Sequence, residues 1–156
     1  MKKRRTVVTF LVAFVAAALV FFLYLREQTD LLAPPGVKER LSPEVYRVMY
    51  ERGTEPAFSS PLDKEYRKGT YVTADTGLYV YRSEDKYDSG TGWPSFTKPI
   101  EGSIELREDG SLFGKRVEVV SVDTGAHLGH VFDDGPPPLG KRYCMNGVAL
   151  RFIPDE

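Results

Sequence analysis

Polar and apolar positions fall into three regimes along this chain. Met1-Lys2-Lys3-Arg4-Arg5 is followed by twenty uncharged residues, 6–25, without a charged face at any period. A helix of that length rises about 30 Å, the thickness of a bilayer's hydrocarbon core. Periodicity then disappears over residues 26–40, around Pro34-Pro35-Gly36, which predicts a tether. A helix is predicted from Leu41-Ser42-Pro43-Glu44: Ser42 can cap, Pro43 is pre-set for the first helical position, and Glu44 suits the positive end of the dipole. Val45, Val48 and Met49 give that helix one apolar face, and Gly53 is expected to end it. Beyond Gly53 the pattern shortens to β-type runs at 70–73, 78–81, 103–106, 117–122, 128–132 and 148–152, separated by turn signals such as Asp109-Gly110 and Asp134-Gly135. The expected fold class is mainly β: an antiparallel β-sheet domain over residues 41–156 with a short N-terminal helix, preceded by a linker (26–40) and one transmembrane helix (1–25).

Charge changes the picture at both ends. Four basic residues precede the apolar run, against a mixed Arg26, Glu27 and Asp30 after it, which orients the N-terminus toward the cytoplasm. The β domain is then expected outside the cytoplasm, on the periplasmic or extracellular side. A cleaved signal peptide is the competing reading, since Ala16-Ala17-Ala18 could imitate a cleavage site; seven more uncharged residues after it favour an uncleaved signal anchor. Residues 26–156 carry 17 basic and 22 acidic side chains, a net charge of −5, which argues against nucleic acid as a partner. With one cysteine in the whole chain no internal disulfide can form, so the fold must stand on packing.

That cysteine, Cys144, lies within 18 residues of the only two histidines, His127 and His130. A thiol needs a neighbouring cation, dipole or base to become the nucleophilic thiolate, and histidine is the side chain most easily poised to move a proton near neutral pH. A small buried thiol beside two ordinary histidines is the bland alternative; the clustering and the polar Arg142 and Asn146 favour chemistry. On a regular strand, residues 127 and 130 point to opposite faces, so Gly129 is expected to bend the chain if both serve one site. The only tryptophan, Trp93, sits in Gly90-Thr91-Gly92-Trp93-Pro94-Ser95-Phe96, where glycines and a proline suggest a rigid loop presenting an aromatic wall rather than a core ring.

Three strings, Gly-Trp-Pro-Ser-Phe (92–96), His-Leu-Gly-His-Val-Phe-Asp-Asp-Gly-Pro (127–136) and Arg-Tyr-Cys-Met-Asn (142–146), occur in the order found in the B-type methionine sulfoxide reductases. The chain resembles that family from about Leu41 to Phe152. The resemblance implies that Cys144 attacks the sulfoxide sulfur, that Trp93 helps form the pocket for the substrate methyl group, and that His127, His130, Asp134, Arg142 and Asn146 surround the reacting centre, with Phe96 counted among the substrate-binding residues. Sulfoxide oxygen leaves only when protonated, a task that suits His130. Arg142 can favour the thiolate, and Asp134 can orient an imidazole. The expected substrate is oxidised methionine in proteins, and the product on the enzyme is a Cys144 sulfenic acid.

The chain departs from that family twice. Many members hold a structural zinc with two Cys-x-x-Cys pairs; here the matching positions are Thr73, Thr76, Ser121 and Thr124, whose neutral hydroxyls do not make a zinc site, so no metal cofactor is expected. Thr91 stands where many relatives carry a resolving cysteine, so regeneration of Cys144 is expected to need an external thiol reductant or a thioredoxin-like protein. Two other functions compete. The repeated Asp-Thr-Gly at Asp75 and Asp123 imitates an aspartic protease, although 48 residues are too few to separate two lobes. A non-catalytic module that binds oxidised methionine is the other. The acidic stretch from Glu101 to Asp109 is expected to be a solvated hairpin without a partner, and Pro136-Pro137-Pro138 to stiffen the loop before the thiol.

Overall fold

Two short helices lead into the β region, each starting where the sequence supplies a cap. α1 (Val37–Arg40) follows Gly36, whose left-handed φ of 71° turns the chain, and α2 (Pro43–Tyr50) is capped by the Ser42 hydroxyl, which accepts from the Val45 N–H at 3.3 Å. The computed structural model describes residues 33–110 and 116–156, together with residues 17, 18, 20 and 21. It separates into two units, Met1–Leu32 and Ala33–Glu156. The expected membrane span and the first part of the linker therefore lie outside the described residues, apart from those four helical, exposed positions. No helix among the described residues is long and apolar enough to cross a membrane.

The structure revises the helical lead-in at both ends. Residues 33–40, assigned to the linker, are folded onto the domain: Val37 is 1% exposed and packs with the core beside Ala33. A single buried valine after Pro-Pro-Gly was too weak a periodic signal to overrule that composition. At the other end the left-handed residue is Arg52 (φ 56°) rather than Gly53, whose N–H closes back on the Arg47 carbonyl at 3.0 Å. A non-glycine residue is disfavoured in that region. Arg52 is held there by both carboxylate oxygens of Glu118, which its guanidinium engages.

The strands form two antiparallel sheets. β1 (Gly69–Thr73) is central to the smaller one, between β2 (Tyr79–Arg82) and β9 (Leu150–Pro154). The larger runs β3 (Lys86–Tyr87), β4 (Ser95–Phe96), β8 (Arg142–Met145), β7 (His127–Phe132), β6 (Arg116–Ser121), β5 (Ile104–Asp109). Tyr71, Tyr81, Phe96, Val119, Leu128 and Met145 are fully buried and belong to one cluster that includes Val48 and Met49 of α2. Such burial is the main favourable term holding a disulfide-free domain together.

Register decides where the chemistry goes. Ser95 pairs with Cys144, Cys144 with His130, and His130 with Glu118, so four polar residues form one row across β4, β8, β7 and β6. The β6–β7 register then slips: Val119 faces Gly129, but Val120 faces His127, leaving Leu128 as an extra residue. This bulge returns His127 to the face of His130, so the expected bend near Gly129 is present as a bulge. Gly129 has a second reason to be glycine: a Cβ there would sit 2.2 Å from the Cys144 carbonyl oxygen. Strands β3, β4 and β8 have no counterpart among the anticipated runs: β3 and β4 are only two residues long, and the four residues of β8 do not alternate in burial. Residues 148 and 149 belong instead to a 3-10 turn (Gly147–Ala149), and the strand starts at Leu150.

Candidate active site

Cys144 opens onto a cleft whose walls include Trp93, His130, Phe132 and Asn146, with Gly129 beneath. The thiol is partly buried, and burial pushes it above its ordinary value of 9.0. The Thr91 hydroxyl, 3.9 Å from Sγ, and the Arg142 guanidinium act in the opposite direction. Cys144 is therefore mostly a thiol at neutral pH, and a fraction of it is the nucleophile.

The structure reassigns the carboxylates around the histidines. Asp134, expected to orient an imidazole, instead clamps Arg142 through two bonds of 2.8 Å, Nε to Oδ1 and NH2 to Oδ2. The Arg142 guanidinium also lies over the Phe132 ring, 4.4 Å from its centroid, so its charge is fixed from two sides. His127 is paired with Glu118 (Nδ1 to Oε1, 2.7 Å), and both side chains are 3% exposed. Burial alone would raise the Glu118 carboxyl, but the bonds from His127 and Arg52 outweigh it and hold the group below 4.5. An ionised carboxylate only accepts, so Nδ1 of His127 carries the proton, and its buried Nε2 has no hydrogen-bond partner among the described residues.

His130 is paired with Asp109, Nε2 to Oδ2 at 3.0 Å. Burial lowers its basicity below the ordinary 6.5, and the Asp109 bond recovers only part of that. The two imidazole rings meet edge to face, 5.2 Å apart. Asp109 also corrects the reading of the acidic stretch: Glu105 and Glu108 are exposed on β5, but the strand delivers its last residue to the active-site histidine. The signal is invisible locally, because Asp109 precedes a turn and resembles any turn aspartate.

Trp93, half-buried at the cleft, donates its indole N–H to the Glu55 carbonyl at 3.2 Å. The Glu55 N–H in turn donates to Asn146 Oδ1 at 3.1 Å, while Asn146 Nδ2 donates to the Leu128 carbonyl at 3.2 Å. The Glu55 carboxylate, itself buried, accepts the N–H groups of Gly147 (2.6 Å) and Val148 (2.9 Å) just past the thiol strand. One unanticipated residue thus ties the tryptophan loop to the cysteine strand. Phe96 must be moved from the substrate-binding set: it is 0% exposed, stacked on Tyr81 at 4.3 Å and edge-on to Tyr71 at 4.9 Å. Alternation along β4 explains the difference, since Ser95 faces Cys144 and its neighbour must point into the core.

Thr73, Thr76, Ser121 and Thr124 meet in a pair of matched turns away from the cleft. Each [ST]-x-Asp-Thr-Gly segment closes by a bond from its glycine N–H to its first residue's carbonyl: Gly77 to Thr73 at 3.1 Å, Gly125 to Ser121 at 2.9 Å. The carboxylates then cross over. Thr76 donates to Asp123 at 2.7 Å, Thr124 to Asp75 at 3.0 Å, Ser121 bonds Asp123, and Tyr50 donates to Asp75 at 2.6 Å. Burial alone would raise Asp123, yet these hydroxyl bonds keep it below 3.8. Three of the four hydroxyls, those of Thr76, Ser121 and Thr124, are thus committed to carboxylates, and the fourth, Thr73 Oγ1, bonds the Thr76 hydroxyl at 3.0 Å. The crossing also accounts for the repeated Asp-Thr-Gly, since each carboxylate is occupied by the opposite turn.

Residues 41–154 match the family model described as the SelR domain. The chain is 47% identical over 116 residues to a peptide methionine sulfoxide reductase MsrB of Leptospira interrogans, covering 74% of this chain and 88% of that protein. It is 48% identical over 120 residues to the protein of the same name from Methanosarcina barkeri (76% of this chain, 84% of that one). The Acinetobacter baumannii protein of that name is 47% identical over 120 residues, covering 76% and 86%.

Proposed function

This chain belongs to the SelR-domain family of B-type methionine sulfoxide reductases, and from that premise we propose how its own residues carry out the reaction. It is an oxidoreductase that reduces methionine-R-sulfoxide in proteins to methionine. The observation that carries the assignment of roles is the row Ser95–Cys144–His130–Glu118, which sets the single thiol beside an imidazole in a cleft walled by Trp93.

The Cys144 thiolate attacks the sulfoxide sulfur while His130 supplies a proton to the departing oxygen. The attack forms a transient S–S bond; that bond and the substrate S–O bond break as an S–O bond forms at Cys144, methionine leaves, and the thiol hydrogen is accounted for on the sulfenic acid. Substrate sulfur is reduced by two electrons and cysteine sulfur oxidised by two. A first external thiol converts the sulfenic acid to a mixed disulfide and releases water; a second releases the Cys144 thiol and an external disulfide. Trp93 contacts the apolar part of the substrate. Arg142, fixed by Asp134 and Phe132, keeps positive charge near the sulfur. His127, locked by Glu118, holds the neighbouring imidazole in place.

The crossed hydroxyl–carboxylate turns take the place of a zinc clasp, supported by the donor set at Thr73, Thr76, Ser121 and Thr124. Residues 1–25 anchor the chain in a membrane with the domain on the periplasmic or extracellular side, supported by the twenty-residue uncharged run behind four basic residues. The test is to incubate the protein with each resolved epimer of methionine sulfoxide and dithiothreitol, beside Cys144→Ser. R-selective reduction lost in the mutant supports the reading, and binding without turnover by the wild type supports a non-catalytic module instead.

A further inference from the structure

Hydroxyl groups continue the polar row beyond the thiol. Ser95, fully buried opposite Cys144, has its Oγ 2.8 Å from Ser89 Oγ. Ser89 Oγ is in turn 2.8 Å from Thr91 Oγ1, which lies 3.9 Å from Cys144 Sγ. At the far end Ser95 donates to the Trp93 carbonyl at 3.1 Å, and the Thr91 N–H donates to Ser89 Oγ at 3.4 Å.

A hydroxyl has one proton and two lone pairs, so such a chain has two self-consistent orders. In one, every group donates away from the sulfur: Cys144 S–H to Thr91, Thr91 to Ser89, Ser89 to Ser95, Ser95 to the Trp93 carbonyl. In the other, each hydroxyl has rotated: Ser95 donates to Ser89, Ser89 to Thr91, and Thr91 to the sulfur. The hydroxyls keep their own protons in both. The first order satisfies a thiol and the second a thiolate.

Resting on the reductase reading of Cys144, we propose that Thr91 is a positioning residue for the reaction and that Ser89 and Ser95 form its relay, the hydroxyl chain reversing direction when Cys144 ionises. The threonine at the position where many relatives place a resolving cysteine thus serves the first half of the reaction, formation of the nucleophile. Burial opposes ionisation of this thiol, and the Thr91 and Ser95 hydroxyls, together with the Arg142 guanidinium, counter it. Chains of hydroxyls polarise one another, so the relay adds to what Thr91 alone would provide.

The experiment is the pH dependence of iodoacetamide alkylation of the full-length protein, in which Cys144 is the only thiol. Thr91→Val, which keeps the shape and removes the hydroxyl, is expected to slow alkylation at neutral pH by roughly three- to tenfold and move the midpoint upward, as loss of one hydrogen bond predicts. Thr91→Ser is expected to stay within about twofold of wild type. Ser89→Ala is expected to shift the midpoint the same way by less, and it carries the test if Thr91→Val does not fold, as judged by Trp93 fluorescence. A wild-type profile in a folded Thr91→Val, or in Ser89→Ala, overturns the proposal. Alkylation consumes no sulfoxide, so the relay can fail while turnover persists; failure of the reductase reading shows separately, as absence of sulfoxide reduction by wild type.

Discussion

Replacing Glu55 with alanine tests how the tryptophan loop and the cysteine strand are held together. Its carboxylate is buried and accepts two backbone N–H groups, from Gly147 at 2.6 Å and Val148 at 2.9 Å. Hydrogen bonds to a charged group contribute about 1.5–3 kcal/mol each, and an abandoned buried donor costs about 1–3 kcal/mol. Against that stands the cost of burying a carboxyl, the leading reason Glu55 lies above 4.5. The balance predicts that Glu55→Ala loses about 2–5 kcal/mol. Glu55→Gln keeps one acceptor but sets its amide donors against the second N–H, for a smaller loss of about 1–3 kcal/mol. Urea unfolding of the full-length protein followed by fluorescence of its only tryptophan gives both numbers, because Trp93 hangs on the Glu55 carbonyl. An alanine variant within about 1 kcal/mol of wild type, or a glutamine variant less stable than the alanine one, refutes the reasoning.

Other perturbations reach the remaining parts of the site. Cys144 ionises above 9.0 and His130 protonates below 6.5, so the thiolate–imidazolium pair is a minority form whose product is constant between the two values. Single-turnover reduction, measured without added thiol, should show a flat plateau, an acid limb below 6.5 where thiolate is lost, and an alkaline limb above 9.0 where imidazolium is lost. His130→Gln should remove the alkaline fall, and a wild-type maximum confined near pH 7 would contradict the assignment. Gly129→Ala drives a Cβ into the Cys144 carbonyl, so it should cost about 1–3 kcal/mol in urea unfolding and slow Cys144 alkylation; an unchanged alkylation rate refutes the claim that this close approach positions the thiol. Thr76→Ala removes a bond to Asp123 and one to Thr73, and should lower stability by about 1–3 kcal/mol with zinc having no effect on the wild-type melting temperature. A zinc-dependent rise in wild-type melting temperature would overturn the metal-free clasp.

Much of this site was legible because its signals are local. The Ser42 cap, the Pro43 start and the β-type runs each need only neighbouring residues, and the three strings around Trp93, His130 and Cys144 lie intact in the chain. The partners were not legible. Glu118 and Asp109 reach the histidines only through the pairing of β5, β6 and β7, and Arg52 reaches Glu118 across 66 positions. Asp134 shares one string with both histidines, yet a bidentate guanidinium eight residues on is the better match for a carboxylate. Phe96 failed on strand parity, a one-residue question that composition cannot answer. The crossed turns lie between these extremes: each [ST]-x-Asp-Thr-Gly turn could be read alone, but the exchange of carboxylates between them needs the fold.

The central claim is that oxygen passes from methionine to Cys144, and one turnover measures it. The protein, mixed with an equimolar peptide bearing methionine-R-sulfoxide and no reductant, should yield methionine and an equal amount of chain carrying one added oxygen on Cys144, trapped by a sulfenic-acid reagent. The S epimer should leave both unchanged. Methionine formed with Cys144 unmodified, or formed equally by Cys144→Ser, would contradict the account.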